Sequence, residues 1–322
     1  MEDFDIMPEI HREEPHSIVY RGLFRYRNYF VLIKKFPYNL AFPDGVPCSL
    51  SRELLLYQKL PPSDYVIKRF GVVSLVEDGH RVHYLIYEPF FYDLASIAVR
   101  PLPHTVFKKL LVQLLRCVNH CHSNGVIHRN LNPRTLLLDT THEILKIGDA
   151  IGHSFTFVGE TEHPGTVTLA YQAPEVLLGA TDYSSPVDMW AVGCIFAEML
   201  TGNVLFVRFG DDPDEANKQQ LYEIFRQLGK PTLDQWPGLA DLPAWKSYQE
   251  WEGGPKMKAR FYEGGLPQDL ATVGLVEAGA ELLSKMLTFD PHQRITAEAA
   301  LKHPYLWKYS GYQRNNGRLV IA

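Results

Sequence analysis

Two thiols and two imidazoles lie within six residues of one another: Cys117, His120, Cys121 and His122. Such side chains ligate zinc when a second ligand pair stands at a suitable spacing. No second pair at that spacing occurs elsewhere in the chain. Around them Phe107, Leu110, Leu111, Leu114, Leu115 and Val118 recur at i, i+3, i+4 and i+7, the period of an amphipathic helix. The cysteines then read as small core residues of that helix, and metal binding is set aside. Four cysteines in 322 residues point to a reducing compartment, cytoplasmic or nuclear.

The elements that must position any active groups change character along the chain. Ser17–Phe24, Tyr29–Phe36, Val66–Val76 and Val82–Tyr87 are rich in β-branched and aromatic residues and predict strands. One helix, Leu50–Leu60, interrupts them. From about Pro101 the pattern predicts helices at Thr105–His122, Pro186–Leu200, Lys218–Leu228, Glu277–Leu287 and Thr296–Lys302. Ser184 or Ser185 is placed to cap the helix that Pro186 opens, and Gly202 to close it. Thr296 is placed to cap the last helix, and Pro304 to stop it. Strands first and helices later indicate an α+β arrangement in two unequal lobes. Apolar residues make up 46% and charged residues 21%, as in ordinary globular proteins. The net charge of −5 gives no reason to expect nucleic acid or an anionic membrane as partner. No apolar run approaches the ~20 residues that span a bilayer, and the acidic stretch Met1–Ile10 does not read as a secretory signal.

Five segments resemble, in order and spacing, the eukaryotic protein kinase fold of the cyclin-dependent (CMGC) type. They are Val31-Leu-Ile-Lys34, Pro47-Cys-Ser-Leu-Ser-Arg-Glu53, His128-Arg-Asn-Leu-Asn-Pro-Arg-Thr135, Lys146-Ile-Gly-Asp-Ala-Ile151 and Tyr171-Gln-Ala-Pro-Glu175. Asp188-Met-Trp190, Leu228-Gly-Lys-Pro-Thr232, Gln235-Trp-Pro-Gly238 and Asp290-Pro-His-Gln-Arg294 extend the likeness, which runs from about His16 to Trp307. The resemblance implies a bilobal kinase fold. A small antiparallel β-sheet lobe with one helix occupies 1–88, a larger, mainly helical lobe 89–307, and a tail 308–322. It also implies a buried Glu175–Arg294 ion pair, an Asp188 that holds the catalytic-loop backbone, and a partner helix presenting Pro47, Arg52 and Glu53.

Phosphoryl transfer needs a phosphate cradle, two metal sites, a pairing lysine and a carboxylate beside the substrate hydroxyl. By the resemblance, nucleotide contact falls to Val19, Leu32, Lys34, Glu53, Glu88 and Leu137. The cradle glycines are replaced by Arg12, Glu14 and Ser17, and Leu32 takes the place of a small alanine above adenine. Asn130 replaces the general-base aspartate, Asn132 the phosphate-steadying lysine, and Thr135 the metal-binding asparagine. Asp149 remains as a metal ligand, while Ala150 and Ile151 stand where phenylalanine and glycine are expected, which predicts a stiff segment. Tyr57 is a candidate to fill the space beside Ala150. Thr168 matches a threonine that contacts the catalytic carboxylate. Arg129 and Arg52 match two of three arginines that grip an activating phosphothreonine. The third falls at Ser154 and the phosphothreonine at His163, with Thr161 two residues earlier.

Three readings follow. The preferred one is a pseudokinase, a serine/threonine kinase homologue that binds a protein partner, either a cyclin at the Pro47–Glu53 helix or an active kinase. The alternatives are a weakly active ATP-dependent kinase and a nucleotide-sensing module. In each, ATP and magnesium bind weakly if at all, and folding requires neither.

Overall fold

The computed structural model describes residues 4–14, 17–37, 47–148, 156–157, 169–182, 184–207, 212, 215–250, 275–315 and 318–321. Its first lobe is a five-stranded antiparallel sheet in the order β1-β2-β3-β5-β4, with β1 at Phe4–Glu14, β2 at Ser17–Phe24, β3 at Tyr29–Phe36, β4 at Arg69–Glu77 and β5 at His80–Tyr87. Helix α1, Cys48–Lys59, lies between β3 and β4 in sequence.

Period-two alternation sends the side chains of this sheet to two cores. Val31, Ile33, Val82, Tyr84 and Ile86 form one, capped by Phe4, Tyr20, Tyr29, Val73 and Leu75. Val19, Leu32, Phe36, Leu85 and Tyr87 face the other way and join Leu50 and Leu56 of α1 in the main core. Both faces of β3 are therefore buried, which explains its nearly unbroken apolar run with Lys34 enclosed inside it.

The second lobe is built on two helices. The helix α3, His104–Ser123, buries Phe107, Leu110, Leu111, Leu114, Leu115, Val118 and both Cys117 and Cys121. It follows the short α2, Leu94–Ile97, whose Asp93 cap accepts from the Ser96 N–H. After the short α4, Pro174–Leu177, comes α5, Pro186–Thr201, in which every residue from Val187 to Leu200 is buried. Gly202 closes α5 in the left-handed region at φ 71°, its N–H reaching the Glu198 carbonyl, a conformation that glycine adopts without strain. Of the further helices, Ala297–Leu301 packs on α3, Glu277–Met286 on α5 and Ala216–Leu228 on α4. No helix among the described residues is long and apolar enough to cross a membrane.

Several expectations need correction. The stretch expected as one strand over Val66–Val76 divides: Val66 bridges to Ile147 of the second lobe, and β4 begins only at Arg69. The reason is a backbone tie, Ile67 N–H to Ile147 O at 2.9 Å and Ile147 N–H to Tyr65 O at 3.0 Å, which captures the segment for the other lobe. Strand β1 lies ahead of the strands that composition predicts, where the resemblance puts the first arm of the cradle. Pro8 interrupts its pattern, and the register with β2 shifts between Ile6 and Ile10 and again between Ile10 and Arg12. An edge strand tolerates such a proline because its outer N–H groups need no ladder partner. Ser185 occupies the N-cap of α5 without a side-chain cap bond, whereas Thr296 accepts from the Ala299 N–H at 3.2 Å.

Candidate functional site

By the kinase resemblance the site lies where the lobes meet, with β2, β3, β5 and α1 on one side and the segment His128–Gly148 on the other. Lys34 of β3 stands across the ladders from Val19 and Leu85. Its Nζ lies 3.1 Å from Glu53 Oε2 of α1, both side chains being essentially without exposure. The second oxygen, Glu53 Oε1, accepts a short hydrogen bond from the Tyr87 hydroxyl of β5. Leu32 faces Arg21 on one side and Tyr87 on the other, and Val19, Leu32 and Leu137 are each at most 1% exposed. Gly148 lies so close beneath that a Cβ there would come within 2.1 Å of Leu137 Cδ1, which is why no larger residue precedes Asp149. Of the residues assigned to the nucleotide slot, Val19, Leu32, Lys34, Glu53 and Leu137 are thus buried in protein.

Glu88 is engaged elsewhere. Its Oε1 lies 2.5 Å from Lys146 Nζ and accepts from the Lys68 N–H at 2.7 Å, while Lys146 also sits 4.8 Å from the Phe90 ring centre. Phe91, just beyond, meets three elements at the outer end of the slot. His11 and Phe30 each approach it edge-on at 6.0 Å, and the Arg21 guanidinium lies 4.9 Å from its ring. His11 reaches it because the β1 register shift leaves that residue between the Ile10–Tyr20 and Arg12–Val19 pairs.

The loop below the cleft is closed on itself. Asn132 caps the 3-10 turn Pro133–Thr135, accepting from the Arg134 N–H at 3.0 Å. The Thr135 hydroxyl donates to the Asn132 carbonyl at 2.9 Å and accepts from the Asn132 N–H at 3.2 Å. Asn132 Nδ2 donates to the Asn130 carbonyl at 2.9 Å. Arg129 adopts the left-handed region at φ 67°. That strained turn is held by Asp188 in the first turn of α5, which accepts from the N–H groups of His128 at 2.8 Å and Arg129 at 2.7 Å and meets His122 Nε2 at 2.8 Å. Burial raises the pKa of the Asp188 carboxyl, but the His122 hydrogen bond, the electrostatics of the neighbouring imidazoles and the His128 N–H outweigh it and hold the carboxyl below its usual range. Burial pushes the His128 imidazole down to about 4.

Arg294 is fully enclosed. Nη1 and Nη2 bind Glu175 at 2.7 and 2.9 Å, and the remaining donors reach the carbonyls of Pro186, Thr288 and Phe289. On α1, Pro47 forms the N-cap, Arg52 is half-buried, Glu53 faces inward and Leu55 is 49% exposed. The Tyr57 hydroxyl donates to the Ile67 carbonyl at 2.8 Å, and Ala150, the neighbour expected for Tyr57, lies outside the described residues. Asp149, Ala150, Ile151, Ser154, Thr161, His163 and Thr168 lie outside the described residues.

Sequence reasoning missed Tyr87, Phe91 and the Lys146–Glu88 pair. A phenol inside an otherwise apolar strand that faces a buried glutamate is a signal for the first, because a buried hydroxyl seeks an acceptor. Phe91 and His11 carry no such signal, since the β1 irregularity that joins them cannot be read from spacing.

Comparison with known proteins agrees with this geometry. A protein kinase domain model matches residues 16–306. Cyclin-dependent kinase B1-1 of Arabidopsis thaliana is 38% identical over 95% of this chain and 97% of its own length. Cell division control protein 2 homolog C of Antirrhinum majus is likewise 38% identical, with the same coverage. Cyclin-dependent kinase B2-2 of Arabidopsis thaliana is 36% identical over 95% of this chain and 93% of its own. With the sheet-plus-helix lobe, the helical lobe and the cleft between them, these matches make the chain a member of the protein kinase family, of the cyclin-dependent type.

Proposed function

We propose that this serine/threonine kinase homologue is a pseudokinase that acts by binding a protein through the outer face of α1. One observation carries the reading: Asn132 and Thr135, where a phosphate ligand and a metal ligand are needed, are spent capping their own turn. With Asn130 in place of a carboxylate, the loop has no positioned group to accept a substrate proton, a loss of about 10²–10⁴ in rate by itself. A magnesium-bound triphosphate fits the described residues poorly. Leu32 and Leu137 fill the slot, and the hairpin beside it carries Glu13 and Glu14 in its sequence. The partner is a protein of the cyclin kind, supported by the names of the relatives and by Leu55 exposed beside half-buried Arg52 and Leu54 on α1.

A nucleotide-sensing role rests on one contrary observation, the intact Lys34–Glu53 pair. Thermal unfolding with ATP and magnesium, manganese or chelator separates the readings, alongside a phosphate-transfer assay on a peptide and on the protein itself. A ligand at a hundred times its Kd stabilises by about 2.7 kcal/mol. We expect no magnesium-dependent shift at millimolar ATP and no transfer. A shift abolished by Lys34→Ala establishes a sensor, and transfer abolished by the same change establishes an enzyme.

A further inference from the structure

Helix α1 is fastened to the rest of the chain by two tyrosine hydroxyls at successive turns. Glu53 and Tyr57 are four residues apart and share its inner face. At the first turn, Glu53 is held by two elements of the sheet, Lys34 Nζ on Oε2 and the Tyr87 hydroxyl on Oε1. Tyr87 is 2% exposed and sits directly across the ladder from Leu32, so its ring has little room to leave. At the second turn, the Tyr57 hydroxyl donates to the Ile67 carbonyl, and its ring lies 6.0 Å from that of Tyr87 with the Arg69 guanidinium 4.7 Å away. Ile67 in turn gives its N–H to Ile147 of the second lobe. The helix is thereby tied to the sheet through Tyr87 and to the other lobe through Tyr57.

Phosphoryl transfer requires neither phenol, and the Lys34–Glu53 pair alone would leave one carboxylate oxygen for other partners. We propose that Tyr87 and Tyr57 are positioning residues that lock α1 inward in the isolated chain. A protein partner then meets a finished, rigid face and does not have to pull the helix into place. The partner's place on α1 rests on the reading above, but the lock itself does not.

Amide hydrogen exchange on the full chain alone, without nucleotide or partner, tests the lock independently of any transfer or binding result. The wild-type α1 amides should exchange slowly, comparably with the first turns of α3. Losing the hydrogen bonds from buried Tyr87 to a carboxylate and from half-buried Tyr57 to a carbonyl should speed α1 exchange by at least about tenfold in Tyr57→Phe/Tyr87→Phe. Amides of α3 and α5 should stay within about twofold of wild type, the level of a perturbation confined to α1. Should the double variant unfold globally, α5 exchange will report it, and the single Tyr57→Phe change, which keeps Glu53 fully held, provides the same local reading at a smaller amplitude. Fast α1 exchange in the wild type, or variants indistinguishable from it at α1, overturns the proposal.

Discussion

Leu32→Ala tests whether the slot is filled by the chain's own side chains. Leu32 is 1% exposed and wedged between Arg21 and Tyr87 on the face that carries Val19 and Lys34. Truncation removes three carbons, worth about 2.4 kcal/mol at ~0.8 kcal/mol for each. The cavity left behind brings the expected loss to about 3–4 kcal/mol, within the range for buried Leu→Ala changes. By the kinase resemblance that cavity lies where an adenine ring would rest, so the proposed function predicts that the variant binds nucleotide better than the wild type. At a hundredfold excess over Kd, ADP should return about 2.7 kcal/mol to the variant. Guanidinium unfolding of both proteins, with and without millimolar ADP, gives the four free energies needed. The reasoning is refuted if the variant loses less than about 1 kcal/mol, or if ADP stabilises both proteins equally.

Glu175→Ala should cost about 3–5 kcal/mol, because it leaves the Arg294 guanidinium enclosed without its carboxylate. Adding Arg294→Met should recover part of that loss, and a double-mutant cycle in urea that finds no coupling would contradict the ion pair's role. Acidification should destabilise the fold between pH 6.5 and about 4, because His128 stays neutral in the buried site while its unfolded counterpart takes up a proton. The unfolded state binds more protons in that window, so stability rises with pH there, by about 3 kcal/mol across it from this residue. The lowered pKa values of His83 and His303 act in the same direction, and urea midpoints that are flat across the window would rule out a neutral buried imidazole.

Where one physical rule dominates, the elements are legible in the chain. Strands β2 and β3 run over Ser17–Phe24 and Tyr29–Phe36, as their β-branched and aromatic content predicts, and α5 follows its continuous apolar run from Pro186 onward. The resemblance to a kinase, carried by short motifs in a fixed order, is matched by the domain at 16–306. What local pattern cannot reveal is competition between segments. The 65–67 stretch has the composition of a strand in the first sheet, yet its N–H and C=O groups are claimed by Ile147. Tyr87 reads as one more apolar strand residue until the three-dimensional register sets its hydroxyl against Glu53. Asn132 and Thr135 read as lost ligands. That they satisfy each other in a capped turn emerges only from the loop's geometry.

The ring of His11, Phe30 and Arg21 around Phe91 also matters for chemical probes. A compound approaching this cleft meets aromatic edges and a guanidinium before it reaches Leu32. A flat aromatic body bearing a carboxylate would meet Phe91 and pair with Arg21, which stands directly across the ladder from Leu32. A ligand can therefore be held at the rim by Phe91 and Arg21, whether or not anything binds deeper.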